Sequence, residues 1–400
     1  MAHAIALAER GRYTVTPNPL VGCVLIKDGA IIGEGWHKKA GTGHAEVEAV
    51  RDAYARGNTV AGAQCYVTLE PCSHTGRTPP CADLLIKEKI AQLYFAARDP
   101  NPLVAGQGIA RLNRAGIETH GPLLESQALW QNRGFFKAMT QHKPWVTLKQ
   151  ATSLDGRIAM ASGESKWVTG SAARADVQRL RAASCAMLTG VGTVLMDNPS
   201  LTVRDRSALQ AASSHYLEGP QDSPTPAKTG EGNGSGKNET TLRQPAHYVL
   251  CGKQFTRLLA QSNSLNLFAQ QDEQASPLTI LLARPYYNDS AVSAFDAAAR
   301  SWRRDVDLQP FDSIDELLDL CDKRQQRYLM VEGGGKIAGS FLQSGALDEL
   351  ILYQANTLLG ASAQAAFDFS INTMQQQIRL EVKSRRQVGE DQRLQYLLQA

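Results

Sequence analysis

The chain has 400 residues, 43% of them hydrophobic and 20% charged, with a formal net charge of +3 at pH 7. That length suits two or three domains, and the composition is that of an ordinary globular enzyme. The near-neutral charge argues against a nucleic-acid-coating surface, and no apolar run reaches the length that spans a bilayer. The N-terminus, Met1-Ala2-His3-Ala4-Ile5, lacks the basic, apolar, small-residue order of a secretory signal. Seven cysteines scattered over a long chain read as reduced thiols of a cytoplasmic protein, some of them metal ligands, rather than as a disulfide framework.

Residues 2–10 read as a short amphipathic helix, which Pro17-Asn18-Pro19 breaks into extended chain. Residues 21–26 are β-rich, Lys27-Asp28-Gly29 signals a turn, and residues 30–37 return as a second strand. From about His44 the apolar spacing turns helical through Glu46, Val47, Ala49, Val50, Ala53 and Tyr54. Residues 64–69 read as a strand, 82–89 as a helix opening after Pro79-Pro80, 93–97 as a strand, 109–115 as a helix and 116–119 as an edge strand. A helical connector at 121–142 leads to a second alternating pattern. Its strands fall at 145–149, 186–189, 248–250, 278–283, 328–332 and 349–355, with two more inside 378–398. Its helices fall at 171–183, with Ser171 as N-cap, and at 313–325 and 336–343. Residues 207–244 collapse in composition to Ser, Gly, Pro, Thr, Asn and Lys and read as a disordered insertion. The whole is an α/β protein of two domains, 1–142 and 143–400, the first of them three-layered.

His44, Cys72 and Cys81 offer an imidazole and two thiolates, three ligands with an open fourth position. That is the layout of a catalytic rather than a structural zinc. Glu46, close to such a metal but not on it, suits a proton shuttle. Cys72 and Cys81 each stand near a predicted helix start, where the dipole favours a thiolate. Hydrolytic deamination asks for this set, since zinc lowers the pKa of water and a carboxylate carries protons to the ring and to the leaving ammonia. The order is the His-x-Glu … Pro-Cys-x-x-Cys of zinc nucleobase deaminases, except that eight residues separate the cysteines here. The bland alternative is a core Cys, a surface His and a capping Glu brought together by chance. Cys23 and Cys65, in predicted strands, read as core residues.

A second site is marked by Val331-Glu332-Gly333-Gly334-Gly335-Lys336, between a strand and a helix. Backbone N–H groups there can cradle a phosphate, although the Gly-x-Gly-x-x-Gly fingerprint is absent and a tight turn explains the triplet equally well.

Longer motifs narrow the reading. Pro17-Asn18-Pro19-x-Val21-Gly22, His44-Ala45-Glu46, Thr68-Leu69-Glu70-Pro71-Cys72-Ser73-His74, Gly76-Arg77-Thr78-Pro79-Pro80-Cys81 and Asp99-Pro100-Asn101-Pro102 resemble the bacterial bifunctional riboflavin-biosynthesis family. So do Leu148-Lys149-x-Ala151-x-Ser153-Leu154-Asp155-Gly156-Arg157, Ser165-x-Trp167-Val168-Thr169, Asp197-Asn198-Pro199-x-Leu201-Thr202-Val203-Arg204 and Glu332-Gly333-Gly334. The resemblance implies a cytidine-deaminase-like α/β/α domain followed by a dihydrofolate-reductase-like α/β domain. It implies deamination of a diamino-phosphoribosylamino-pyrimidinone, then NADPH-dependent reduction of the ribosyl group to ribityl. For the first domain it implies zinc on His44, Cys72 and Cys81, Glu46 as proton shuttle, the pyrimidine on Asn18 and His37, and the 5′-phosphate at His74 and Arg77.

For the second domain the resemblance places NADPH at Ala151, Trp167, Thr193, Asp197, Gly334, Gly335, Lys336, Ile337, Ala338, Gly339 and Ser340. It places substrate at Ser165, Arg181, Leu201, Arg204 and Glu332. Arg181 and Arg204 can act as bidentate donors to a phosphate. Lys149 is a candidate for protonating the sugar oxygen as hydride arrives, with Glu332 bonding sugar hydroxyls or orienting the lysine; a solvated strand end is the alternative for Lys149. Cys251-Gly252 stands where the family carries an Asp-Ser pair, the insertion is longer than the family needs, and the chain starts close to its first helix. The resemblance further implies a homo-oligomer, dimer or tetramer, built through the reductase half, with no nucleic-acid or membrane partner. Two other readings stay open. One is a deaminase of free or RNA-borne bases with an unrelated appended domain, which the near-neutral charge disfavours. The other is a scaffold around a structural zinc, which three ligands rather than four disfavour.

Overall fold

Asp28 and Gly29 both adopt positive φ, 52° and 77°, the turn that matches the twist of two antiparallel strands. They join β1 (Gly22–Lys27) to β2 (Ala30–Trp36) as the sequence pattern predicts. The computed structural model describes residues 1–73, 79–101, 105–204, 243–269 and 276–399. His74, Arg77 and residues 207–242 of the expected insertion lie outside the described residues. The chain divides into two compact units, the first from Met1–Thr140 and the second beginning at Gln141.

In the first unit five strands form one sheet in the order β2-β1-β3-β4-β5, with β3 (Gln64–Val67), β4 (Gln92–Phe95) and β5 (Glu118–His120). β1 is antiparallel to β2 and β3, while β3, β4 and β5 run parallel. Inward residues such as Leu25, Cys65, Val67 and Leu93 are fully buried with side chains of α2 (Ala45–Ala55), α3 (Cys81–Lys87) and α4 (Gln107–Arg114). On the opposite side Ala4 and Leu7 of α1 (Ala2–Ala8) cover Val24. The expected connector is a pair of helices, α5 (Glu125–Gln131) and α6 (Arg133–Gln141).

Two glycines of β2 set where α2 lies. A Cβ on Gly33 would sit 2.4 Å from Ala49 O, and one on Gly35 2.3 Å from Ala49 N and 2.4 Å from Ala45 O. Helix and strand therefore meet backbone to backbone, and the first turn of α2, with His44 at its mouth, is held against the sheet.

The second unit carries a nine-stranded sheet. Its strands are β6 (Trp145–Thr152), β8 (Ala186–Gly190), β9 (Ala246–Cys251), β10 (Leu278–Ala283), β11 (Val306–Phe311), β12 (Tyr328–Val331), β13 (Glu349–Gln354), β15 (Leu380–Val388) and β16 (Asp391–Leu398). The order is β11-β10-β9-β8-β12-β6-β13-β16-β15, parallel from β11 to β13 and antiparallel from there to β15. A short pair, β7 (Arg157–Ala159) with β14 (Gln364–Ala365), stands apart. The helices are α7 (Ser171–Ala183), α8 (Val191–Asp197), α9 (Phe255–Gln261), α10 (Asp289–Ala299), α11 (Ile314–Lys323) and α12 (Gly335–Gln343).

Several elements depart from the sequence reading. Gly170, extended at φ −72° and ψ 175°, is the N-cap of α7, so Ser171 is the first helical residue and not the cap. α8, α9, α10 and β11 were not expected. α8 and α9 are seven residues long, too short for a clear period, and β11 is an edge strand carrying Pro310. Gln244, which the sequence places at the end of the insertion, is bound through its carboxamide to Val203.

The contact at Gly35 generates a prediction. Gly35→Ala has to part backbone from backbone and should destabilise the first unit by roughly 1–3 kcal/mol. Thermal unfolding read together with zinc content checks this; an unshifted melting point with full zinc binding refutes the role given to the contact.

Candidate active sites

In the first unit, strand ends and helix starts converge. His44 is the N-cap of α2, with φ −70° and ψ 166°, and Glu46 lies in its first turn, only 3% exposed. Cys81 opens α3, and Cys72 precedes it in the chain that leaves β3. The three donor atoms lie within 4.8 Å of one another. His44 Nδ1 is 3.6 Å from Cys72 Sγ and 3.3 Å from Cys81 Sγ. A tetrahedral zinc, ~2.0–2.1 Å from nitrogen and ~2.3 Å from sulfur, sets such atoms roughly 3.6 Å apart. The spacing, one imidazole and two sulfurs, and the borderline softness of zinc fit that ion.

The electrostatics already favour one thiolate. Hydrogen bonds from the Cys81 thiol, from His44 and from Cys81 N–H hold Cys72 down to about 4 against its burial, the N–H lying 3.3 Å from the sulfur. Giving its proton to that bond, together with burial, pushes Cys81 well up. Burial is also the main cause that raises Glu46, with the Cys72 thiolate adding to it and His44 opposing. A dication at the triad would displace protons from these ligands.

Asn18 and His37 come together beside the cluster. The His37 and His44 rings stand edge to face, 5.4 Å between centroids. His37 Nδ1 donates to Gly43 O at 3.0 Å, so Nε2 is the acceptor for Asn18 Nδ2 at 3.0 Å. Burial lowers the His37 pKa and keeps the ring neutral. Two supporting residues receive no role from the sequence, although Glu70 stands inside one of its motifs. Glu70, 3% exposed, accepts from the N–H groups of Gly106 at 3.0 Å, Gly108 at 3.1 Å and Ile109 at 3.3 Å, tying the approach to Cys72 to the start of α4. Asn132 accepts from Leu20 N at 2.7 Å and donates to Leu20 O at 2.9 Å.

In the second unit a cleft of about 2150 Å³ lies across the carboxyl ends of β8, β9, β10, β11 and β12, where parallel sheets present ligand sites. Lys149, Ala151, Ser165, Trp167, Arg181, Thr193, Asp197, Leu201, Arg204, Glu332, Gly334, Gly335, Lys336 and Ile337 all line it. Ala338, Gly339 and Ser340 do not. Ala338 is fully buried in the core, a Cβ on Gly339 would meet Asp368 O at 2.0 Å, and Ser340 Oγ bonds Lys336 O from the exposed side. The helical period turns these residues away from the cleft after Ile337.

Lys149 sits inside β6 rather than at a strand end, its side chain 16% exposed and its Nζ 3.7 Å from Glu332. Burial lowers its pKa and Glu332 partly opposes that. Arg181 bonds Glu332 bidentately, Nε to Oε1 at 2.7 Å and Nη2 to Oε2 at 3.0 Å. Against burial, Arg181 and then Lys149 hold Glu332 down to about 2. The fork of Arg181 therefore meets a carboxylate of the protein and does not pair with Arg204 as a phosphate clamp. Ser165 Oγ donates to Asp197 at 2.7 Å, and the exposed Trp167 ring carries Arg174 at 4.3 Å.

The segment 201–204 is pinned from outside. Leu201 is left-handed, φ 54°, and its carbonyl accepts from His247 Nε2 at 3.2 Å. The buried Arg304 donates to His247 Nδ1 at 2.9 Å, which fixes that tautomer, and burial followed by the Arg304 charge keeps the ring neutral, down to about 3. Gln244 bonds Val203 at both N–H and C=O, 2.8 and 3.1 Å, and Gln178 accepts from Arg204 N at 2.9 Å.

Known proteins share this organisation. Residues 1–97 match the cytidine and deoxycytidylate deaminase zinc-binding region, and residues 144–394 the RibD C-terminal domain. The riboflavin biosynthesis protein RibD of Escherichia coli K12 is 40% identical over 370 residues, which is 91% of this chain and 89% of its own. Its namesake in Haemophilus influenzae is 40% identical over 397 residues, 99% and 96% of the two chains. Among solved structures, Acinetobacter baumannii RibD (form 1) superposes with a TM-score of 0.80 at 38% identity, covering 100% of this chain and 97% of that one. The diaminohydroxyphosphoribosylaminopyrimidine deaminase/5-amino-6-(5-phosphoribosylamino)uracil reductase of Thermotoga maritima gives 0.78 at 28%, over 99% and 97%. With a donor triad in one unit and a lysine–glutamate cleft in the other, the chain belongs to the RibD family of riboflavin-biosynthesis proteins, bifunctional enzymes that join a deaminase to a reductase.

Proposed function

We propose that the first unit hydrolytically deaminates 2,5-diamino-6-(5-phosphoribosylamino)pyrimidin-4-one. The second then reduces the product with NADPH to 5-amino-6-(5-phosphoribitylamino)uracil. The observation that carries this reading is the triad His44, Cys72 and Cys81, spaced like the edges of a zinc tetrahedron, with the buried carboxylate of Glu46 beside it. Bound on that triad, zinc supplies a water acidic enough to ionise near neutral pH. Glu46 would take one proton from that water and hand it to a ring nitrogen, then take the second from the new hydroxyl and hand it to the departing amine. A C–O bond forms at the amino-bearing carbon, the C–N bond breaks, and ammonia leaves. The raised pKa of Glu46 suits a group that must both accept and release a proton. Asn18 and the neutral His37 hold the pyrimidine, and His74 and Arg77 take its 5′-phosphate.

In the second unit NADPH supplies a hydride. Ala151, Trp167, Thr193, Asp197 and residues 334–337 hold the cofactor, and Ser165, Leu201 and Arg204 hold the substrate. Lys149 gives a proton to the ribosyl ring oxygen as C1′ accepts the hydride, so that the C1′–O bond opens into the ribityl chain. Glu332 keeps the ammonium charged inside the cleft, and Arg181 keeps Glu332 in place. The seven cysteines are all free thiols, which supports a cytosolic setting, and among the described residues no helix is long and apolar enough to cross a membrane. We also propose a homodimer through the second unit. β15 is an edge strand, and Ile371, Met374, Ile378, Leu380 and Val382 are exposed along and just before it.

Three outcomes follow. Glu46→Gln should lower deaminase turnover about 10²–10⁴-fold while one zinc per chain is kept. Metal analysis beside the rate checks it, and near-wild-type turnover removes Glu46 from the mechanism. Glu332→Gln takes away the anion that favours charged Lys149, so the lysine pKa must fall, and the alkaline limb of the reductase kcat/KM should move about one pH unit or more lower. A pH profile of NADPH oxidation that is unmoved, or moved upward, counts against Lys149 as the proton donor. Lysine at both Leu380 and Val382 should turn a dimer into a monomer in sedimentation; an unchanged mass places the interface elsewhere.

A further inference from the structure

We propose that Asn132 is a positioning residue of the deaminase site, holding Asn18 in register with His37 through the backbone of Leu20. The inference rests on the reading of Asn18 as a pyrimidine contact. Asn18 lies between Pro17 and Pro19, and neither proline has an N–H to give. Leu20 is the first residue after them with both backbone groups, and it precedes β1, which starts only at Gly22. Asn132 takes both groups, accepting from Leu20 N at 2.7 Å and donating to Leu20 O at 2.9 Å. A carboxamide is the side chain that offers an acceptor and a donor side by side for this. The bonds are dry, because Asn132 is 2% and Leu20 6% exposed.

The anchor itself is rigid. Asn132 stands between α5 and α6 with its own N–H on Ala128 O at 3.1 Å, and its carbonyl accepts from Phe136 N at 3.0 Å. Two residues before Leu20, Asn18 Nδ2 reaches His37 Nε2 at 3.0 Å. The carboxamide and the imidazole must face one flat ring together, so a shift of a few tenths of an ångström in the segment weakens both contacts. The neighbouring residue supplies an internal control. Gln131 also bonds the N-terminal segment, but at Ile5 O (2.9 Å) and Glu9 Oε1 (2.7 Å), away from Asn18.

The test compares full-length variants by deaminase KM and kcat, zinc content and melting temperature. Asn132→Ala should raise the deaminase KM roughly tenfold, with kcat within about threefold and zinc stoichiometry unchanged. Gln131→Met should lower the melting temperature and leave that KM alone. Combining Asn132→Ala with Asn18→Ala should raise KM no further than Asn18→Ala does by itself. If Asn132→Ala does not fold, Asn132→Asp replaces it. That variant keeps the acceptor for Leu20 N–H and sets an oxygen against Leu20 O, so it too should raise KM. The inference is overturned if the KM of either folded Asn132 variant stays at the wild-type value, if Gln131→Met raises KM equally, or if the double variant is additive. Should Asn18→Ala itself leave KM unchanged, it is the pyrimidine-contact reading that fails.

Discussion

Taking a carboxylate out of water costs several kcal/mol unless donors replace its hydration. Among the described residues this chain does so at Glu70, Glu332 and Glu46, in three different ways. Glu70 is surrounded by the backbone N–H groups of Gly106, Gly108 and Ile109, which fix it as a brace between the metal-ligand chain and α4. Glu332 faces two cations, Arg181 and Lys149, and stays ionised. Glu46 is buried beside the Cys72 thiolate, the Cys81 thiol and His44 instead, and burial and then the thiolate raise its proton affinity. The first carboxylate is met by backbone donors, the second by cations, and the third lies beside a thiolate.

The same accounting explains the residues around both candidate sites. A loop that faces a ligand cannot also complete a ladder with a neighbouring strand, so its backbone groups need other partners. Asn132 serves Leu20 in the first unit. In the second, Gln244 serves Val203 in the same two-bond manner, Gln178 serves Arg204, and His247 serves the left-handed Leu201. Neutral side chains do this without adding charge to the segment. Arg304 is drawn in behind them, bonding His247 and the carbonyls of Leu267 and Ser276.

How far this was legible depends on sequence distance. The hairpin and the α2 start are written in local patterns, where turns demand particular residues; the triad spans 37 positions and was legible through its residue types instead. The helix starts in the second unit were less legible. Ser171 has the chemistry of a cap, yet Gly170 holds that place because its extended backbone starts the helix one residue sooner. α8 and α9 are short enough that tertiary packing, not period, forms them. The anchors were not legible at all. Asn132 and Leu20 are 112 positions apart, Gln244 and Val203 are 41 apart, and an Asn or Gln in a polar stretch announces nothing until the chain is folded.

Arg181 shows why residue type alone misleads in a cleft. An arginine near a phosphoryl substrate invites reading as a clamp, but its fork geometry fits a carboxylate as well as a phosphate, and Glu332 is already within reach. Placing it there does more for the chemistry. Glu332 alone beside Lys149 would form a closed neutral pair, with little tendency for the ammonium to give up its proton. A second cation on the carboxylate draws part of that field away, and the charge of Arg181 itself disfavours a charged Lys149. The three groups together carry one net positive charge in a cleft with a further, exposed arginine at position 204. That excess gives the cleft a positive field, which a tightly matched ion pair would not.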